Sequence, residues 1–316
     1  MRSLRYVGSR GGKKSDTRQS RTIRHRRIRG HRTSPESSGR HPEVIRAKEH
    51  IVRIYNFTDN DDVDIVARQG AFQVIEWKRD LSVDYGGAAA AYFASEMNVR
   101  RRQVVCTLDG KTGITVQAGA MQWTAGHVQA TTGVKGVGDF LGKMARGAVT
   151  KESTIKPEYQ GVGVLVLEPT YRHILLIDPA QMGGSMTVND GLFYACESTV
   201  QQRAVMVSRP SAMVAGGEGL FNLALQGQGT VALESPVPAS ELVTIDLEND
   251  ELKVDGNFAI AWTTGLQFTV ERSGKSLIGS AASGEGLVNV YRGTGRVLLA
   301  PVASPTFNPN AGTGTA

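Results

Sequence analysis

The stretch Gly227-Gln-Gly229-Thr-Val-Ala-Leu-Glu-Ser-Pro236 joins a Gly-x-Gly step to a short apolar run and a proline. The pattern recurs in Gly161-Val-Gly163-Val-Leu-Val-Leu-Glu-Pro169 and in Gly293-Thr-Gly295-Arg-Val-Leu-Leu-Ala-Pro301, so consecutive copies stand 66 residues apart. Glycine permits a tight turn, and a central strand cannot continue through proline. Each copy therefore predicts a tight turn that enters a short strand, and the fixed period predicts a repeat architecture.

Two other patterns accompany each copy. Apolar residues alternate with small or polar ones ahead of the second Gly-x-Gly step, at Phe221, Leu223 and Leu225, and a period of two predicts a half-buried strand. A shared segment opens each unit, and in the second and third copies it contains the hairpin signals Asp190-Gly191 and Asp255-Gly256. Each unit is therefore predicted to be mostly β.

The repeats divide the predicted folded domain, residues 51–302, into three units of roughly 100–169, 170–236 and 237–301. One unit of this size cannot cover its own hydrophobic face, whereas three packed units can. We therefore predict an all-β fold of three tandem β-sandwich-like repeats. The first unit carries a small insertion in which Asp139–Arg146 has the apolar pattern of a short helix.

The two ends of the chain differ from this domain in composition. Residues 1–50 hold 15 Lys and Arg against four Asp and Glu, a net charge of +11, so the rest carries −5 of the overall +6. With few large apolar residues, this segment is predicted to be a disordered basic tail. It would attract nucleic acid or an anionic surface, or it is a solvated appendage. Residues 303–316 are predicted to form a flexible tail.

Several classes of protein are disfavoured by the sequence. No run approaches the ~18 uninterrupted apolar residues of a membrane-spanning helix. Cys106 and Cys196 are too few for a disulfide framework or a zinc site, so we expect a reducing, cytoplasmic compartment, with a membrane-peripheral position left open. The Gly-rich segments 133–143 and 274–276 lack required positions of a nucleotide-binding loop, and no nucleophile elbow is found. The prediction is a non-enzyme without a cofactor or a metal.

Five residues at related places in the repeats are the candidate site residues. Glu152, Glu218 and Glu285 recur just ahead of the Gly-x-Gly steps. If the three carboxylates converged they could bind a cation; otherwise each caps backbone N–H groups in its own turn. Trp123 and Trp262 are predicted to occupy equivalent repeat positions. They would pack in the core or between repeats, or would line an aromatic ligand pocket.

Several runs of sequence resemble a known family. They are Ala118-Gly-Ala-Met-Gln-Trp123, the Gly217–Phe221 run with Gly227-Gln-Gly229, and the Ser283–Leu287 run with Gly293-Thr-Gly295. Together they resemble the "altered inheritance of mitochondria 24" family, in particular its bacterial branch.

The resemblance spans roughly residues 65–302. It implies a double-stranded β-helix-like fold, similar to the tryptophan-RNA-binding attenuation protein, repeated three times about a pseudo-three-fold axis. The family has no established catalytic residues, so none is carried over. Its mitochondrial members are linked to inner-membrane organisation, a role that does not follow for a bacterial member from fold alone.

Two functional hypotheses follow. The first is a non-enzymatic scaffold or interaction protein with an unidentified protein partner, cytoplasmic or at the membrane periphery. The alternative is a small-ligand or RNA-binding module, in which nucleic acid would be attracted through the basic tail because the remainder is acidic. Exposed strand edges of β-repeats can pair with another chain, so we also expect a homo-oligomer. A hydrolase or metal enzyme is the least supported class.

Overall fold

The computed structural model describes residues 43–46, 51–131, 156–206, 221–272 and 287–302, and most of them lie in β-strands. The first strands and the α-helix of the described part precede the predicted repeats: β1 (Glu43–Arg46), β2 (Ile51–Ile54), β3 (Val63–Gln69), β4 (Phe72–Trp77) and α1 (Ala88–Glu96). Two short 3₁₀ helices lie at Pro179–Met182 and Ala239–Glu241.

The three units supply the remaining strands. Those of the first unit are β5 (Arg102–Asp109), β6 (Ile114–Val116), β7 (Met121–Thr131) and β8 (Glu158–Leu167). Those of the second unit are β9 (His173–Ile177), β10 (Ser185–Val188), β11 (Phe193–Glu197), β12 (Gln201–Met206), β13 (Phe221–Gln226) and β14 (Val231–Ser235). Those of the third unit are β15 (Val243–Asp255), β16 (Ala259–Thr263), β17 (Gln267–Arg272) and β18 (Leu287–Leu299).

These strands form two large antiparallel sheets and one small one. The nine-stranded sheet has the order β3-β4-β5-β8-β6-β11-β14-β9, with β7 also paired to β8. The seven-stranded sheet has the order β12-β13-β10-β16-β18-β15, with β17 also paired to β18. Strands β1 and β2 pair with each other. The prediction of an all-β fold is confirmed.

Every unit pairs its opening strands with its closing strands in the same way. In the first unit β5 and β6 pair with the two ends of β8, and in the second β9 pairs with β14 and β10 with β13. In the third unit both halves of β15 pair with β18. The 66-residue period also holds for individual strand pairs. Ala195 lies opposite Ala232, and the residues 66 positions later, Ala261 and Leu298, also lie opposite each other.

The prediction of a tight turn at each Gly-x-Gly step is wrong for the first and third copies, and in the second copy the two flanking strands do not pair with each other. Gly161 and Gly163 lie within the continuous strand β8, the third copy lies within β18, and the second separates β13 from β14. In the first copy glycine is needed because the neighbouring strand comes very close. A Cβ atom on Gly161 would lie 1.9 Å from the carbonyl oxygen of His127, and one on Gly163 would lie 2.1 Å from that of Ala125.

Several predictions concern segments near the ends or in the insertion. Glu43–Arg46, within the predicted disordered tail, forms β1, so that prediction is wrong for these four residues. The rest of that tail, the predicted helix Asp139–Arg146 and residues 303–316 lie outside the described residues. Helix α1 was not predicted. No helix in the described part is both long enough and apolar enough to cross a bilayer.

Consecutive units are joined by one strand pairing each. β6 pairs with β11 through Ile114–Val116, and β10 pairs with β16 through Met186–Val188. The corresponding segment of the third unit is Leu252–Val254, and among the described strands β15 pairs only with β18. Its central residue, Lys253, is exposed and bonded to Glu251 at 2.8 Å, and a charged side chain of this kind discourages pairing at a sheet edge.

The close approach at the first Gly-x-Gly step can be tested by substitution. We expect Gly161→Ala to lower the free energy of unfolding by about 3 kcal/mol, because strain at its φ of +121° adds to a collision with backbone. Gly265→Ala is the control, since an added Cβ there meets nothing within 4 Å. Urea denaturation followed by circular dichroism measures both variants. Equal midpoints for the two would contradict the argument.

Candidate functional site

The predicted carboxylate residues, Glu152, Glu218 and Glu285, lie outside the described residues. A different carboxylate performs the capping that was expected of them. Glu197, at the end of β11, accepts hydrogen bonds from the backbone N–H groups of Ala71 and Thr230, both at 2.9 Å. It therefore ties the turn between β3 and β4 to the start of β14.

The third unit repeats this contact with a neutral side chain. The hydroxyl of Thr263 accepts from the backbone N–H of Arg296 at 3.0 Å. Thr263 follows Glu197 by 66 residues, and each acceptor stands 33 residues before its donor. This shared spacing could have identified Glu197 in the sequence as a structural residue.

The two candidate tryptophans are not equivalent. Trp123 lies opposite Val166, whereas Trp262 lies opposite Val297, and the repeat counterpart of Val166 in the third unit is Leu298. A bulge just before this point in each unit sets the register, so Trp123 corresponds to Ala261 and Trp262 is one residue further along. Neighbouring residues of a strand point to opposite faces.

The tryptophans consequently pack in two separate clusters. Trp262 is buried, with its ring centroid 5.2 Å from those of both Phe268 and Tyr291. Trp123 is half-buried, with its centroid 5.3 Å from that of Phe57. They do not line a common pocket, and their surroundings favour the interpretation as packing residues.

Both cysteines are buried and free. Burial is the main cause that raises the pKa of Cys196 to about 12, and burial also raises the pKa of Cys106. The thiolate is the reactive form of cysteine, so neither side chain is a nucleophile near neutral pH. Within the described ranges, no group of three or more His, Cys, Asp or Glu side chains is arranged to hold a metal ion.

An exposed apolar surface lies around α1, in a segment that joins β4 to β5. No residue of α1 is buried, and several large apolar side chains in and around the helix are exposed. We call this surface the α1 face; its members are Leu81, Val83, Tyr85, Tyr92, Phe93, Met97, Val99 and Tyr171. Tyr85 is fully exposed and Phe93 is 67% exposed. Scattered single apolar residues are common on protein surfaces, whereas seven large exposed ones lie between residues 81 and 99 and the eighth, Tyr171, bonds to Asp80 beside them. Such a concentration indicates an interaction site.

An apolar groove of about 340 Å³ lies beside these side chains. One wall is the inner side of the α1 segment, including Val83, Ala90, Ala91 and Ala94, and the other includes Trp77, Val99 and Tyr171. Alanine side chains are too short to fill the space between the helix and the sheet. The α1 face thus combines protruding aromatic rings with an unfilled apolar groove.

A buried ion pair anchors the C-terminal end of the α1 segment. The guanidinium of Arg102 is 3% exposed and lies 2.7 Å from a carboxylate oxygen of Glu76. It also donates to the side-chain oxygen of Asn98 at 2.8 Å and to the carbonyl oxygen of Asn98 at 3.0 Å. Because Asn98 adopts a left-handed conformation, with φ of +61°, these bonds hold a chain reversal at the end of the helix.

A second polar contact holds the N-terminal end of the segment. The Tyr171 hydroxyl donates to Asp80 at 2.6 Å, and Ser82 donates to the same carboxylate. The hydrogen bonds from Ser82 and Tyr171 lower the pKa of Asp80 to about 2. A carboxylate with a lowered pKa contributes to stability above its ordinary pKa and loses that contribution as the pH falls toward 2. The contact is therefore kept through neutral and mildly acidic pH.

The basic side chains that surround the α1 face are paired within the chain, whereas Asp84 and Glu96 form no ion pair among the described residues. Arg100 bonds Glu76 at 3.0 Å and Arg101 approaches Asp80 at 3.6 Å. The guanidinium of Arg101 also lies 4.9 Å from the ring centroid of Trp77. The remaining pairs are Lys78 with Asp64 and Arg79 with Asp62. The rim of the face is therefore polar and locally close to neutral.

Comparison with known proteins gives the family. The sequence profile of the family described as mitochondrial biogenesis AIM24 matches residues 93–302. The chain belongs to the AIM24 family. The resemblance seen in the sequence is confirmed. The matched range begins at Phe93, so the part of the α1 face from Leu81 to Tyr92 precedes it.

Two relatives come from Streptococcus pyogenes. An uncharacterised protein of its serotype M6 is 25% identical over 214 residues, which cover 66% of this chain and 84% of that protein. A protein of the same species with a known crystal structure is 23% identical, with a TM-score of 0.49, over 66% of this chain and 90% of that one. The serotype M6 relative is therefore itself an uncharacterised protein.

The anchor of the α1 segment in this AIM24 protein can be tested at Arg102. Arg102→Met keeps much of the apolar stem but leaves the Glu76 carboxylate largely buried without its closest cation, so we expect about 3 kcal/mol less stability. We also expect chymotrypsin to cleave faster between residues 80 and 99. Arg296→Met, which removes an exposed pair with Asp246, should change neither measurement appreciably. Similar behaviour of the two variants would show that Arg102 is not an anchor.

Proposed function

We propose that this AIM24-family chain is a non-enzymatic interaction protein. In this proposal the β-repeats form a scaffold, and the α1 face binds a protein partner. The observation that carries it is the large apolar surface of α1, held in place by Arg102 and Asp80 at its two ends. A surface that is exposed yet fixed by polar bonds at its two ends suits binding, because little order has to be gained when a partner arrives.

The size and composition of the α1 face support a protein partner. At roughly 200 Å² for each aromatic side chain, its four exposed aromatic residues alone present roughly 600 Å². The largest apolar patch of a typical monomer is about 300–600 Å², and here leucine, valine and methionine add to it. Aromatic residues and methionine at the centre with charged residues at the rim are typical of protein interfaces.

The paired charges favour a protein over a lipid surface. Anionic membranes recruit clusters of unneutralised Lys and Arg, whereas the basic residues beside the α1 face are bonded to carboxylates. A cytoplasmic location is part of the proposal, because both cysteines are free. The raised thiol pKa values support a non-enzymatic role, since they remove the two cysteines as candidate nucleophiles.

In-cell photo-crosslinking tests the proposal. A benzoylphenylalanine at position 92 samples the α1 face, and one at position 248, an exposed site on β15, is the control. We expect a discrete covalent adduct from position 92 and none from position 248. Leu81→Ser added to the first protein should weaken the adduct, because it removes an apolar side chain that is 70% exposed.

The adduct must depend on the face for the proposal to stand. No adduct from position 92, or the same adducts from both positions, would remove the α1 face as a binding surface. Identification of the adduct by mass spectrometry then distinguishes a second copy of the chain from a different protein.

A further inference from the structure

We propose that the partner of the α1 face is a second copy of this chain, related by a two-fold axis. This inference rests on the proposed function and names its partner. In the resulting dimer, the aromatic side chains of each α1 segment enter the apolar groove of the other copy. Each α1 segment thus supplies both the projecting side chains and a wall of the groove that receives those of the other copy.

The shape of the face is self-complementary. A two-fold interface uses the same surface on both partners, so that surface must contain both projections and the depressions that receive them. Tyr85, Tyr92 and Phe93 project, and the groove of about 340 Å³ lies on the inner side of the same segment. A binding site for an unrelated protein would need only one of these two features.

The size of the face matches what a dimer requires. A stable interface of standard size buries about 800 Å² on each partner. The aromatic residues supply roughly 600 Å² of exposed surface, and Leu81, Met97 and the two valines are 39–78% exposed. The α1 face therefore has enough area for a standard interface without recruiting any other part of the described surface.

Helix α1 is held at the two ends of its segment, but none of its own side chains packs in the core of its own copy. It has nine residues, none of them buried, and its N-cap Gly87 makes no side-chain capping bond. Isolated helices shorter than about 12–15 residues are marginal in water. A second copy packed across the axis would bury the exposed rings of Tyr92 and Phe93.

Electrostatics permits contact between two identical faces. When a surface meets its own copy, unneutralised charges on it meet charges of the same sign and repel. Here Arg79, Arg100 and Arg101 are each bonded to a carboxylate of the same copy. The unpaired charges of the segment among the described residues are the carboxylates Asp84 and Glu96, so repulsion between two copies is limited to these two side chains.

Sedimentation velocity of the full chain between about 2 and 100 µM tests the dimer. We expect concentration-dependent dimerisation of the wild type, and Tyr92→Ser should raise the dissociation constant at least ~30-fold, the change typical of an interface hot spot. Tyr55→Ser is a matched control, because Tyr55 is 60% exposed and Tyr92 is 62% exposed but only Tyr92 belongs to the face. The control should change the constant less than ~3-fold.

Thiol crosslinking gives a second measurement that does not depend on weakening the fold. Both native cysteines are buried, so an introduced surface thiol is the reactive one. Ala89→Cys on α1 should yield a covalent dimer with a short bismaleimide, whereas Glu248→Cys on β15 should not. Equal yields from the two positions would contradict contact through α1.

The outcomes separate this inference from the function on which it rests. A wild type that stays monomeric at 100 µM overturns the dimer. If position 92 then gives an adduct with a different protein, the binding role of the face stands with another partner. Co-sedimentation of the monomer with phosphatidylglycerol vesicles, lost in Tyr92→Ser, would instead assign the face to a membrane. A monomer without adducts overturns both proposals.

Discussion

The edges of two opening strands, β6 and β10, are each covered by a strand from the following unit, and the rest of the fold depends on these two pairings. At the two junctions the covering strand carries a fully buried alanine, Ala195 or Ala261, which packs into the core of the preceding unit. A small residue fits there because the backbones of two units meet. Trp123, the counterpart in the first unit, has no preceding unit and packs instead with Phe57 of the N-terminal segment. The N-terminal segment thus covers the side of the first unit that a preceding unit would otherwise cover.

The local order of the α1 segment depends on polar bonds rather than on a core. Its two ends are held by Asp80 and Arg102, and the helix between them buries no side chain. An apolar surface held in this way keeps its shape while exposed to water, at the cost of leaving aromatic rings hydrated. That cost is recovered only when another surface covers them, which links the conformation of the segment to the binding role that we propose for it.

The period and strand pattern of the sequence were sufficient to predict the all-β fold, because strand alternation and repeat spacing are visible in residue types. The register was not predictable to one residue. A bulge inserts a residue without a composition signal, and Trp123 and Trp262 were therefore matched although they face opposite ways. The sequence marks Gly161 and Gly163 as positions that require glycine. It does not show the cause, because a turn and a close approach of two strands both require this residue. Helix α1 was not predicted because its alanines show no apolar periodicity. The burial of Arg102 was not predictable either, because residues that cover it are distant in sequence.

The open edge at Leu252–Val254 means that nothing in the described architecture limits the number of units to three. A closed ring fixes its subunit count through geometry, whereas an open row of units can lengthen at one end by the duplication of a 66-residue segment. Each added unit would need only an apolar-Thr-apolar triplet on its predecessor in place of the charged Lys253. Gain and loss of whole units is therefore an evolutionary route that this architecture permits, and Lys253 stands where the two preceding units have Thr115 and Thr187.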